Sequence, residues 1–350
     1  MNFGDTVTIP GCALKSRHLE ASSGCAAVDS LLGGGVPNTS FVIYDETRSR
    51  TYADVLLRLF LAEGYYEGHD ILYVSPPLDS TECLLDRLPA RCEASPSNSG
   101  GVGGRVADGT SGADGDGMQI AWRYAPVRAI NSSVAKTPTR YDLATTVPDD
   151  ILSSSSSVVT RWPSFVDEPF SYTALLQKIR EMLSREEYAK SKGPRPSGAA
   201  KPRLLRIVIR NLGSPLWEDD DKLPGFLARI PFLTRHAYSI VFASTDSTTT
   251  TPAVTRQLET TADAFLRLEA MDELERKIYD KAHGYLRLVR LPRLTSLAPP
   301  VPPAVDLTFE LHRKSFDVKI LHLPPALEEG DEEKKGRTGG GGSCGVAAQF

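Results

Sequence analysis

No apolar run approaches the about 18 residues that a membrane-spanning helix needs. The N-terminal MNFGDTVTIP also lacks the basic-then-apolar order of a secretory signal. Cysteine is scarce: Cys12, Cys25, Cys83, Cys92 and Cys344 are odd in number and include no C-x-x-C pair. Neither a disulfide framework nor a zinc site can be read from them. The six histidines are scattered, with no HExxH pair. These absences set the expectation of a soluble protein in a reducing, intracellular compartment, without metal chemistry and without a membrane partner. Bulk positive charge is missing too. The net charge is −4, so any nucleic-acid contact has to come from a local patch.

What is present suits a packed core. Apolar residues make up 41% of the 350 and charged residues 24%, which excludes wholesale disorder. Polar, low-complexity stretches punctuate the chain. Residues 94–117 carry eight glycines and read as a flexible insertion. Five serines occupy 153–157, SKGPRPSGAAKPR occupies 191–203, and an acidic then Gly-rich tail follows Glu328.

Between these loops strands alternate with helices. FVIYD (41–45) reads as a buried strand and TYADVLLRLFLAEG (51–64) as a helix, with Thr51 and Asp54 in capping-box spacing. Its apolar stripe is Val55, Leu56, Leu59 and Phe60. DILYVS (70–75) and QIAWRY (119–124) read as strands. SYTALLQKIREML (171–183) is an amphipathic helix with Ser171 as N-cap. LLRIVIR (204–210) is a strand, a Pro-containing helix lies around 223–235, and SIVFAST (239–245) is a strand. YLRLVRL, LTFELHR and FDVKILHL alternate like an antiparallel edge. Such alternation predicts one large α/β domain with a mostly parallel sheet flanked by helices.

Residues 22–64 carry the most information. Gly24, Asp29, Leu31, Leu32, Gly33, Gly34, Gly35 and Pro37 precede a strand, a loop and a helix. This stretch resembles the opening segment of RecA/KaiC-like ATPases, yet the phosphate loop is missing. G-x-x-x-x-G-K-[ST] works because glycines let backbone N–H groups close around phosphates that Lys neutralises. Here Asp45-Glu46-Thr47-Arg48-Ser49-Arg50-Thr51-Tyr52 has neither glycine nor lysine, and two carboxylates would repel a triphosphate. Ser49 or Thr51 could still cap the helix, and Arg48 or Arg50 could meet an anion at its N-terminus. Where an ATPase strand of this fold ends in an Asp that manages magnesium, LLRIVIR ends in Arg210-Asn211. Independent ATP hydrolysis is therefore not expected, and no residue is assigned a catalytic or metal role.

With Trp122-Arg123-Tyr124, Leu212-Gly213-Ser214-Pro215 and His322-Leu323-Pro324-Pro325 following in order, the chain resembles the PAXNEB family over roughly residues 20–325. The resemblance implies a RecA-like subunit of the Elongator complex without an intact phosphate loop. It further implies a hetero-hexameric ring with two paralogues, Elongator subunits 5 and 6. That ring would bind tRNA and serve the catalytic Elongator subunits, which modify wobble uridines, in cytoplasm and nucleus. Any ATP would sit at interfaces between subunits rather than in this chain. Two other readings stay open: a subunit completing a neighbour's ATPase site through Arg48, Arg50 or Arg229, and a recombination-type RecA relative acting on DNA. The expected organisation is an N-terminal extension (1–20), a RecA-like domain (21–325) with flexible insertions near 94–117 and 188–203, and a disordered tail (326–350).

From Tyr188 to Trp217 there is no Asp or Glu, against seven Lys and Arg. Lys190, Lys192, Arg195, Lys201 and Arg203 are the RNA-binding candidates, since phosphate affinity comes from such cations. Arg206 and Arg210 lie inside the strand and are expected to serve its edge or a subunit contact. A solvated loop that only aids solubility is the competing reading.

Overall fold

The computed structural model describes residues 7–15, 18–49, 51–77, 83–92, 133–135, 140–148, 151, 155–164, 168–190, 198–279, 281–294 and 298–321. The strand expected at 119–124, with Trp122 and Tyr124, lies outside them, as do the tail, the Gly-rich insertion and His322-Leu323-Pro324-Pro325.

The segment expected as an N-terminal extension supplies β1 (Cys12–Lys15) and β2 (His18–Ala21). They form a small antiparallel sheet with β3 (Val36–Pro37), and α1 (Ala26–Leu31) lies between. Ile9 and Ala21 are buried in the main core. The glycine-rich turn after α1 needs its glycines. Gly33 and Gly34 have φ of 100° and 110°, a region that disfavours side chains. Gly24 has φ 83°, and a Cβ there would stand 2.2 Å from the Leu59 carbonyl oxygen. Gly24→Ala is expected to destabilise by at least about 1–3 kcal/mol, read as a lower urea midpoint with unchanged slope.

From Phe41 the chain winds the main layer: β4 (Phe41–Thr47), α2 (Tyr52–Tyr66), β5 (Asp70–Val74), β6 (Pro89–Arg91), β7 (Tyr141–Thr146), β8 (Val159–Trp162) and α3 (Tyr172–Leu183). Then come β9 (Leu205–Ile209), α4 (Leu223–Thr234), β10 (Ser239–Asp246), α5 (Pro252–Thr261), β11 (Ala264–Ala270) and α6 (Glu273–Ile278). The last strands are β12 (Gly284–Arg290), β13 (Leu307–Leu311) and β14 (Phe316–Ile320). Nine strands join in the order β14-β13-β12-β11-β4-β10-β9-β5-β8. β8 to β11 run parallel, and β12, β13 and β14 continue antiparallel. This is the mostly parallel sheet with an antiparallel C-terminal edge that the alternation predicts. β6 and β7 pair separately.

Central strands are apolar on both faces because both are covered. In β4, Val42 and Tyr44 face the core built on α2, while Phe41 and Ile43 face the core built on α3, α4 and α5. α2 buries the expected Val55, Leu56, Leu59 and Phe60, and Leu57, Leu61 and Ala62 as well. α3 buries Leu175, Leu176, Ile179, Met182 and Leu183, and Ser171 caps it by accepting from Ala174 N at 3.2 Å. Trp217 stacks on Phe170 and Tyr172 at 3.9 and 4.1 Å, and donates to the Asn211 carbonyl at 3.0 Å. Leu212-Gly213-Ser214-Pro215 is thereby a packing corner, with Gly213 at φ 81°. Among the described residues no helix is long and apolar enough to cross a membrane, and no His, Cys, Asp and Glu gather as metal ligands.

Candidate functional site

The turn from β4 into α2 occupies the phosphate-loop position. β4 ends on two buried acids, Asp45 and Glu46. Helix N-termini present unpaired N–H groups that favour anions, and here the chain provides its own. Glu46 Oε1 accepts from Tyr52 N at 2.8 Å, and its carboxyl also takes the Ala53 N–H. Burial nevertheless pushes Glu46 up to about 7, helped by Asp54 and Asp246, because desolvation outweighs the two backbone donors. The capping box expected from Thr51 and Asp54 does not form. The Thr51 side chain makes no cap bond and instead lies 3.2 Å from Ser49 Oγ. The competing principle is reach: an acid at the strand end already fills the seat that a Thr51 hydroxyl would otherwise serve.

Asp54 is taken by Arg210. The guanidinium of Arg210 grips it at 3.1 and 2.7 Å and also donates to Ser75 Oγ at 3.2 Å. A cation thus stands where the magnesium-handling acid was sought, and it ties the end of β9 to the first turn of α2. Asp45 is held by Arg267 at 2.6 Å and by the Ser247 N–H at 2.9 Å. Arg267 reaches Glu259 at 2.8 Å with its other arm. Burial raises the Asp45 pKa in spite of Arg267.

Arg48 sits at φ 66°, with ion pairs of 3.9 and 3.6 Å to Glu269 and Glu275. Arg50 lies outside the described residues, and Arg229 stands exposed on α4.

The RNA candidates divide. Lys190 is exposed, its Nζ donating to the Arg235 carbonyl at 3.2 Å, and desolvation beside Arg235 lowers it to about 8. Lys201 is exposed, whereas Lys192 and Arg195 lie outside the described residues. Arg203 is committed elsewhere, to both oxygens of buried Asp70 at 2.7 and 2.6 Å. Arg206 is buried within the central strand β9 and Arg210 is buried just past its end, neither at a sheet edge. Lys190 donates its N–H to the His236 carbonyl just ahead of β10, and Lys201 lies just ahead of β9, so they stand at the N-terminal rim of the parallel strands, opposite the β4–α2 turn.

An α/β protein with a mostly parallel sheet, in which the helix N-terminus after β4 is capped by the chain's own Glu46 carboxyl, is the class that this fold and site define. The chain belongs to the PAXNEB protein family, whose model matches residues 7–346. It is similar to Elongator complex protein 4 of Xenopus laevis, 28% identical over 93% of this chain and 85% of that one. It is also similar to Elongator complex protein 4 of Danio rerio (29%, covering 92% and 86%) and of Homo sapiens (29%, covering 91% and 80%). Two solved structures overlap most of the chain at low identity. They are the flagellar accessory protein FlaH of Methanocaldococcus jannaschii (12%, covering 84% and 95%, TM-score 0.42) and the KaiC-like protein PH0186 of Pyrococcus horikoshii (13%, covering 85% and 98%, TM-score 0.44).

Proposed function

We propose that the chain is a non-catalytic RecA-like subunit of the Elongator complex. In this reading it joins its two paralogues, subunits 5 and 6, in a hexameric ring that binds tRNA in support of wobble-uridine modification, in cytoplasm and nucleus. The observation that carries the non-catalytic reading is Glu46 on the N-terminus of α2: the anion seat is filled from within, and Arg210 neutralises Asp54 where magnesium would be managed. Nucleotide, where the ring uses it, belongs at subunit interfaces. The purified chain is accordingly expected to show no turnover of Mg-ATP above buffer in a phosphate-release assay.

Co-expression with the two paralogues tests assembly. A hetero-oligomer that retains tRNA on size-exclusion chromatography supports the reading, and a monomer that refuses both paralogues overturns it. Within that ring, Lys190, Lys192, Arg195 and Lys201 replaced by Ser should weaken binding across tRNA species alike. The slope of log affinity against log salt should flatten by about one unit for each phosphate no longer neutralised. Arg203 is left intact because its removal would strand the buried Asp70. An unchanged slope would reduce the segment to a solvated loop.

A further inference from the structure

At the C-terminal rim, on the sheet face that carries α5, lies an open cleft of about 750 Å³ that the proposed function leaves without a role. Arg48, Arg256, Arg267 and Arg287 line it together with Glu259 and Glu269. Its floor is the neighbouring strands β4 and β11 with β12 beside them, and one wall is α5. Hydroxyls from the β10–α5 loop, Ser247, Thr248 and Thr250, complete it.

We propose that this cleft binds a phosphate-class oxyanion, gripped by Arg48, Arg256 and Arg287 at its mouth. The charges are layered by depth. The side chains of Arg48 and Arg287 are 54% and 59% exposed, whereas those of Glu269 and Glu259 are 24% and 28% exposed and Asp45 is fully buried behind Arg267. An incoming ligand therefore meets guanidiniums before carboxylates. Glu269 serves Arg48 at 3.9 Å and Arg287 at 2.8 Å, and one carboxylate cannot neutralise both. Glu275, 3.6 Å from Arg48, and Asp246, whose Oδ1 accepts from the cleft-lining Thr248 N–H at 2.9 Å, are further acids on this side. Arg256 is exposed and has no ion pair among the described residues. Arg48 is held at the cleft in a left-handed backbone, φ 66°, a strain that tends to persist where a side chain has work to do. Guanidinium forks match phosphate oxygens two at a time, and a phosphate offers more acceptors to three arginines than a carboxylate does.

The same chemistry is presented by a small phosphorylated molecule and by a polynucleotide backbone. The inference does not depend on the tRNA reading, whose lysines stand at the opposite rim. Titration calorimetry on the full chain at constant ionic strength tests it, with inorganic pyrophosphate in one arm and a short oligouridylate in the other. Saturable pyrophosphate binding is expected, weakened roughly tenfold or more by Arg256→Gln and again by Arg287→Gln. Arg256→Gln should leave the melting temperature of the unliganded protein unchanged, which separates impaired recognition from impaired folding. If oligouridylate binds and competes with pyrophosphate, the backbone is a source of the anion; if pyrophosphate binds alone, the ligand is a small phosphate. No saturable binding of either probe at millimolar concentration, or affinities untouched in both variants, would overturn the proposal.

Discussion

Replacing Arg267 by Met is expected to lower the unfolding free energy by about 3–5 kcal/mol, which is the usual effect of stranding a buried charge. Asp45 is wholly buried in the central strand β4, and Arg267, its neighbour across the parallel register with β11, is the cation that reaches it. Without that guanidinium, Ser247, through its N–H at 2.9 Å and its hydroxyl, is the remaining donor residue to the carboxylate that the structure shows. The variant protein responds by protonating Asp45, so the destabilisation should be full at neutral pH and shrink in acid. Adding Asp45→Asn to Arg267→Met should restore most of the stability, because the pair is then removed together. Urea unfolding of the two single variants and the double completes the cycle. Additive effects would mean that the two side chains do not act as a pair.

A change of opposite sign is expected at Glu46→Gln. The folded protein raises this carboxyl from its ordinary 4.5 to about 7, so folding favours the protonated form. Below the unfolded value both states hold the proton and Glu46 costs nothing. As pH climbs from about 4.5 towards 7, the unfolded state releases its proton first, and stability falls until the folded carboxyl also ionises. The shift corresponds to about 3 kcal/mol at its plateau. Gln keeps an oxygen for the Tyr52 N–H and carries no charge. The variant should match the parent near pH 4 and exceed it by up to about 3 kcal/mol at pH 8, as measured by denaturant titration across that range. A difference that does not vary with pH would show that Glu46 is not held in its neutral form.

The elements legible in the sequence are those whose apolar residues form an unbroken run or keep a regular period. β4, β5, β9 and β10 are covered on both faces, α2 and α3 each turn an apolar side to one core, and β12, β13 and β14 alternate; their composition announces it. β11 was not legible although it adjoins β4 in the middle of the sheet. Arg267 and Glu269 interrupt its apolar run, for reasons visible only with Asp45 and Arg287 in place. Ala262-Asp263 is its sole separation from α5, so a periodicity window mixes helix with strand. β6, β7 and β8 are short and half exposed, which leaves little pattern. At the candidate site the sequence disclosed the missing phosphate loop, but it presented Asp45 and Glu46 only as repellents of phosphate. That Glu46 takes the phosphate's seat depends on a strand-to-helix turn that folds the acid back over Tyr52, a geometry that spacing alone does not announce. Arg203, Arg206 and Arg210 looked alike as cations in an acid-free run. Their partners Asp70, His69 and Asp54 come from other parts of the chain.

Arg206 also bears on where this protein begins as a folding unit. Its fully buried guanidinium donates to the carbonyls of Ser22 and Phe60 at 3.0 and 3.1 Å and to His69 Nδ1 at 2.9 Å. Because Nδ1 accepts, the proton of His69 rides on Nε2 and is given to the Pro10 carbonyl at 2.6 Å. Burial and the adjacent cation hold His69 near 3, so the ring stays neutral and this relay of donors keeps one direction throughout the physiological range. A chain shortened to start after Ala21 would leave His69 with an N–H pointing at nothing, buried beside a cation. The first strands therefore close the polar interior rather than decorate it, and the unit that unfolds cooperatively reaches back at least to Pro10.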